Sequence, residues 1–248
     1  MRFTAETVPD FKAIALKIKL HWYYRSMTRR EYGQPCSLAC ALDRIGERWS
    51  LLIVRELSLG PLRFAELARD VGGAPTDVLT KRLRDLERQG IVQRRELEPP
   101  ASALAYELTE LGRGLERPML ELARWGLSFQ DPEDVAELAP SSLPNGVRAI
   151  LRPPVDVRLT VGLRTGGRSY GLRIADGWIE AFRGDAEEAR LTLSGAPIDV
   201  IAALVAGEPA EGGVKIEGDP EVLEQLRAMV DIPDDLREKA LATLAVSA

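Results

Sequence analysis

Histidine and cysteine are nearly absent from this chain of 248 residues: His21 stands alone, and Cys36 and Cys40 are the two cysteines. One imidazole leaves little material for a zinc site or a Ser-His-Asp triad. Two cysteines cannot build a disulfide framework. No apolar run approaches the roughly 20 residues that span a bilayer, so no membrane partner is expected. The N-terminal stretch FKAIALKIKLHWYY is broken by Lys12, Lys17 and Lys19 and lacks the small-residue cleavage site of a signal peptide. A cytoplasmic location follows by default. Phosphate loops and nucleophile–base spacings are missing too, since Thr165-Gly166-Gly167 and Gly212-Gly213 are lone glycine turns. Neither an enzyme nor a cofactor is expected.

What is present is an uneven charge. The formal net charge is −5. Residues 127–248 carry 12 basic and 21 acidic side chains, whereas residues 76–95 carry 6 basic against 3 acidic. Local charge, not the total, sets attraction to phosphate. Four segments emerge: an extension at 1–26, helical patterns with one short hairpin at 27–126, a Pro/Ser-rich linker at 127–146, and strands followed by helices at 147–248. Met27 directly precedes the first motif; we expect it to be the natural start, with residues 1–26 either outside the native protein or an extra dimerisation arm.

The segment WSLLIVRELSLG places Trp49, Leu52, Ile53 and Leu57 at helical spacing before a Gly60-Pro61 stop. LRFAELARDVGG reads as a second helix, with Phe64, Leu67, Ala68 and Val71 inward. APTDVLTKRLRDLERQG reads as a third, with Thr76 as N-cap and Gly90 as its stop. Leu79, Leu83 and Leu86 share one face of it, and Asp77, Thr80, Lys81, Arg84 and Arg88 fall largely on the other. A helix that reads DNA needs this split: one face buried to hold it, the other polar and basic in the major groove. An ordinary amphipathic surface helix has the same split, so the context decides. Two short strands around a Pro-rich tip follow, with Arg94 and Arg95 on the first, where they can meet phosphate or the minor groove. Helices followed by a hairpin make an all-α winged helix with a small β-wing. The next helix, from Leu115 through Trp125, carries an apolar face suited to a two-fold interface.

Over Tyr32–Gly126 the chain resembles the HxlR family of winged-helix regulators, through YGQPCSLACALDRIGERWSLLIVREL, RFAEL, LTKRLRDLERQGIVQRR and YELTELGRGL. One departure is the turn GGAPTDVL, where the family often has an Ile-Ser pair. The resemblance implies a homodimer built on its first and last helices, bound to double-stranded DNA. Two recognition helices would then meet a pseudo-palindromic operator with half-sites about 10 bp apart. The DNA-binding residues expected are Arg63, Thr76, Asp77, Thr80, Lys81, Arg82, Arg84, Arg88, Arg94 and Arg95. Cys36 and Cys40 share a helix face, and a helix N-terminus favours thiolate at Cys36. The resemblance implies an oxidant-sensing role for Cys36; the plainer reading is that both cysteines are small residues buried in the dimer interface.

In the last hundred residues, VDVRLTVGLRT alternates apolar and polar positions, as a strand with one buried face does. Asp176-Gly177 marks a two-residue hairpin turn. Pro197 opens a helix, and Asp219 caps another that has Pro220 at its first position. This α+β domain is similar to the sterol-carrier-protein fold through RLTLSGAPIDVIAALVAGE and VKIEGDPEVLEQL. That likeness implies a lipophilic small molecule held by Trp178, Phe182, Ile201, Leu204 and Leu226, although each of these is also plain core. The whole reads as a DNA-binding transcriptional regulator. The alternative is a lipid or ligand carrier whose winged helix serves only dimerisation.

Overall fold

The computed structural model describes residues 31–97, 103–130, 137–205, 213–234 and 236–238. The expected extension at 1–26, the start at Met27 and the wing tip lie outside them. The chain divides into two compact units, Met1–Ser50 and Leu51–Ala248. In the first, helix α1 spans Ser37–Ile45 with Cys36 as its N-cap. Its backbone carries a cap at the far end, where the Gly46 N–H donates to the Leu42 carbonyl at 2.7 Å.

The second unit begins as the sequence suggests. Helix α2 spans Ser50–Leu57, strand β1 Leu62–Arg63, helix α3 Phe64–Val71 and helix α4 Thr76–Arg88. Strands β2 (Val92–Glu96) and β3 (Leu104–Leu108) pair antiparallel, Val92 opposite Leu108 and Glu96 opposite Leu104. β1 joins the other edge of β3, so the order is β1-β3-β2. Helices α5 (Glu110–Arg113) and α6 (Glu116–Gly126) follow. Ile53, Val54, Leu57, Leu67, Val71, Leu79, Leu83 and Leu86 are buried, so the apolar stripes of α2, α3 and α4 build the core of this head. Trp49 is not part of the helical stripe: it has φ of 79° and sits in the turn before α2. Thr76 is the first residue of α4, with Pro75 as N-cap and no side-chain cap bond. Proline in that place pre-sets the extended φ that a capping threonine would have supplied.

The Pro/Ser-rich stretch is not a bare linker in its described part. Pro140–Ser142 forms one 3-10 turn, and helix α7 spans Leu143–Ile150 with Leu143, Val147 and Ile150 buried. Proline near a helix start removes no needed donor, so composition that looks loop-like here opens a helix.

Strands β4 (Leu159–Thr165), β5 (Arg168–Ala175), β6 (Trp178–Arg183), β7 (Leu191–Gly195) and β8 (Val214–Gly218) form one sheet in the order β6-β5-β4-β7-β8. The β4–β7 pairing is parallel and the others antiparallel. Asp176 and Gly177 both have positive φ, 52° and 72°, as the two-residue turn between β5 and β6 requires. The first strand starts later than alternation suggests, and Val155 is exposed. Helices α8 (Pro197–Val205) and α9 (Pro220–Ala228) complete the domain. Leu159, Val161, Leu163, Leu172, Ile174, Leu191 and Leu193 form a core with Leu143, Val147, Val200, Leu204 and Leu226 from the helices. Leu59, from the turn after α2, is buried in this same core. The head and the C-terminal domain therefore share apolar packing.

Candidate nucleic-acid interface

Helix α4 buries Leu79, Leu83 and Leu86 and leaves the opposite side open. Thr76, Asp77, Thr80, Lys81, Arg84 and Arg88 line one continuous depression on that open side. Their spacing follows the helical repeat, which is why residues up to twelve positions apart share it. Lys81 and Arg84 are exposed and have no ion-pair partner among the described residues. Arg88 is committed to Asp85, and its Nε donates to the Arg84 carbonyl at 3.3 Å. Thr80 donates back to the Thr76 carbonyl at 2.7 Å, so this hydroxyl is partly occupied by the helix itself.

Arg82 does not belong to this strip. It is only 8 % exposed and turned toward Asp85, with Nη1 at 3.4 Å from the carboxylate. It occupies the same helical face as Leu79 and Leu86, one turn away from each. The expected DNA contact by Arg82 is therefore corrected: its guanidinium lies on the buried side of α4 and pairs with Asp85.

Arg63 is exposed at the start of α3, where its N–H donates to Glu66 Oε2 at 2.9 Å. On the wing, Arg94 and Arg95 are exposed, as expected of β2. Each has an acidic neighbour: Arg94 Nε lies 2.7 Å from Glu87 Oε1, and Arg95 Nη1 lies 3.3 Å from Glu107 Oε2. Arg94 also stands over the Tyr106 ring. Surface pairs of this kind are weak and open to exchange, so both guanidinium groups remain accessible to phosphate.

Cys36 is exposed and Cys40 half-buried, and both are free thiols. The N–H groups of Ala39 and then Leu38 pull the Cys36 thiol below its ordinary pKa. The thiol therefore ionises more readily than an ordinary one.

The five expected ligand residues do not converge. Leu204 and Leu226 are packed in the domain core, and Ile201 lies against it. Phe182 is on the other face of the sheet, opposite Gly171 in register, and covers that glycine so closely that a Cβ there would meet its ring at 2.0 Å. Trp178 has two guanidinium groups against its ring, Arg117 at 4.5 Å and Arg148 at 4.9 Å from the centroid. Period-2 alternation places Trp178 and Phe182 together, but it does not say which face of a sheet the helices cover.

Buried charges whose pairing no local pattern announces join head to sheet. Asp70, at the end of α3, is buried and grips Arg168 of β5 through two contacts of 2.9 Å. Glu56 of α2, also buried, lies 3.2 Å from Arg183 of β6. Arg183 further donates to the carbonyls of Glu56 and Gly60, at 2.9 and 3.2 Å, and its own N–H to that of Leu59 at 2.9 Å. Asn145 donates to the Arg55 carbonyl at 3.2 Å. Arg124 of α6 donates to the carbonyls of Ala149, Arg148 and Leu151. The available signal was a carboxylate inside each apolar helical stripe, Glu56 beside Leu57 and Asp70 beside Val71.

The family model "HxlR-like helix-turn-helix" matches residues 44–134. The chain is 41% identical over 90 residues to the uncharacterized HTH-type transcriptional regulator Rv3095 of Mycobacterium tuberculosis, covering 36% of this chain and 56% of that protein. It thus spans about half the length of that relative. It is 34% identical over 94 residues to the HTH-type transcriptional regulator YodB of Bacillus subtilis, covering 38% of this chain and 84% of that protein. Among solved structures, it is similar to the redox regulator HypR in its oxidized form, at 35% identity and a TM-score of 0.36, covering 39% of this chain and 99% of that one.

Proposed function

This chain belongs to the HxlR-like helix-turn-helix family, and on that premise we propose that it is a DNA-binding transcriptional regulator acting as a homodimer on a pseudo-palindromic operator. The observation that carries this reading is the open strip of α4. Thr76, Thr80, Lys81 and Arg84 stand exposed or half-exposed on a helix whose other face is locked into the core. A helix that served only dimerisation would not need unpaired cations there, which disfavours the carrier reading. Asp77 and Arg88 line the same strip, Arg63 stands at the start of α3, and Arg94 and Arg95 supply phosphate contacts from the wing. Dimerisation is assigned to α6 and the turn after it, where Leu122, Trp125 and Phe129 are exposed and the two aromatic rings meet edge to face at 4.8 Å.

A gel-shift series on the chain's own upstream region, titrated with salt, tests the assignment. Lys81→Ala and Arg84→Ala should each weaken specific binding by about 1–3 kcal/mol. Full affinity in both variants would refute it. Cys36 is assigned an oxidant-sensing role because it is exposed and its thiol is acidified. Oxidant should release operator from wild type and not from Cys36→Ser; equal release would remove the role. The C-terminal α+β domain is read as the input module of sterol-carrier-protein type. Its five-stranded sheet, backed by α7, α8 and α9 on one face, supports that reading.

A further inference from the structure

Beside the contact that joins head to sheet lies a cleft that the DNA-reading surface does not use. It is open, about 730 Å³ in volume, and bounded by the β4–β5 turn, Pro140 and the first turn of α8. That size suits a small organic molecule. Pro140, Ala196 and Pro197 make much of its wall apolar, and Arg164, Thr165 and Arg168 supply the polar groups. Among the described residues it is lined by two arginines and no acidic side chain. Arg164 is held only loosely, 3.8 Å from Asp185 and 3.9 Å from Glu217. Arg168 is 29 % exposed even while it grips Asp70. Thr165 pairs with Arg168 across the hairpin, is 4 % exposed, and its hydroxyl has no hydrogen-bond partner among the described residues. A buried hydroxyl left unpaired is costly, so an acceptor group brought into the cleft gains from meeting it. The turn itself is pressed against the cleft wall, since a Cβ on Gly166 would meet Pro140 Cγ at 2.6 Å. The positive end of the α8 dipole adds to the field for an anion.

We propose that this cleft binds a small amphiphilic carboxylate, whose tail covers the proline wall and whose carboxylate takes Arg168 in competition with Asp70. The guanidinium fork accepts a second carboxylate in the same bidentate geometry, and Thr165 donates its free hydroxyl to it. Asp70 ends α3, which leads directly into α4. Occupancy therefore loosens the tie between the sheet and the helix before the reading helix. The binding claim stands apart from DNA recognition and is tested without DNA.

Isothermal titration of the full chain with sodium octanoate, against 1-octanol and inorganic phosphate, reads the claim directly. Octanoate should bind saturably at one site per chain, with the alcohol and phosphate at least roughly tenfold weaker. Thr165→Val removes only the unpaired hydroxyl, keeps the shape, and should weaken octanoate roughly tenfold. Asp70→Asn frees Arg168 and should tighten it. Absence of saturable octanoate binding overturns the proposal. So does octanol binding equally well, which means a purely apolar site, or phosphate doing so, which means an unselective anion site. Unchanged affinity in Thr165→Val places the ligand elsewhere, and weaker or unchanged affinity in Asp70→Asn removes the competition.

Discussion

Replacing Asp70 by alanine should lower the stability of the second unit by about 3 kcal/mol. The carboxylate is 2 % exposed and accepts two bonds of 2.9 Å from Arg168, with Arg69 at 3.1 Å and Arg183 at 3.9 Å. Breaking a buried pair by removing one partner costs about 3–5 kcal/mol, mostly because the other charge is left unpaired. Here the abandoned guanidinium is 29 % exposed and can turn toward water in the cleft, so the low end applies. For a unit of this size about 2–4 °C is lost per kcal/mol, so Tm should fall by about 6–12 °C. Calorimetry and urea unfolding of Asp70→Ala, Arg168→Ala and the double variant give the coupling. The double variant should be less destabilised than the sum of the singles by about 1–3 kcal/mol. A coupling below about 0.5 kcal/mol would mean that the two groups do not hold each other, and the account of the head–sheet contact would fail.

Arg82→Met should leave operator specificity intact, because Arg82 is buried on the core side of α4; a specificity change in the gel shift would return it to the reading face. Arg94→Ala and Arg95→Ala should weaken binding evenly across sequences and flatten the dependence on salt by about one unit each, read from the slope of log K against log salt. Burial, against the pull of Arg55 and Arg183, raises the pKa of Glu56 above its ordinary 4.5. The folded chain then keeps this proton to higher pH than the unfolded chain, so ionising Glu56 costs stability as pH rises from about 4.5 through the folded value. In Glu56→Gln that cost is gone, so the stability of the variant relative to wild type should improve across the same window and then level. Urea unfolding at a series of pH values checks this, and a difference that does not change with pH would refute it.

Local chemistry made much of the fold legible. Alternation exposed the inward face of β4, Asp176-Gly177 announced its turn, and Asp219-Pro220 announced the start of α9, where the Asp219 carboxylate accepts from the Glu221 N–H at 2.9 Å. The open strip of α4 followed from helical spacing alone. What stayed hidden depends on partners far along the chain. Asp70 meets Arg168 across 98 residues, and Glu56 meets Arg183 across 127. No periodicity carries such a pairing. The same limit explains Arg82 and Phe182: spacing places a residue on a face, and only the assembled neighbours decide whether that face meets solvent, core or sheet. The Pro/Ser-rich stretch misled for a different reason, since proline serves a helix start as well as a loop.

Much of the seam between head and sheet is written in main-chain oxygens. Arg183 takes the carbonyls of Glu56 and Gly60, Asn145 that of Arg55, and Arg124 those of Arg148, Ala149 and Leu151. A carbonyl survives any substitution of its own side chain. The seam should therefore tolerate mutation very unequally on its two sides. In a saturation scan, Arg55, Ala149 and Leu151 can change without losing the acceptor, whereas Arg183, Arg124 and Asn145 cannot change without losing the donor. The main-chain part of the seam can persist while the surfaces around it drift, because three donor side chains serve all six of these carbonyls.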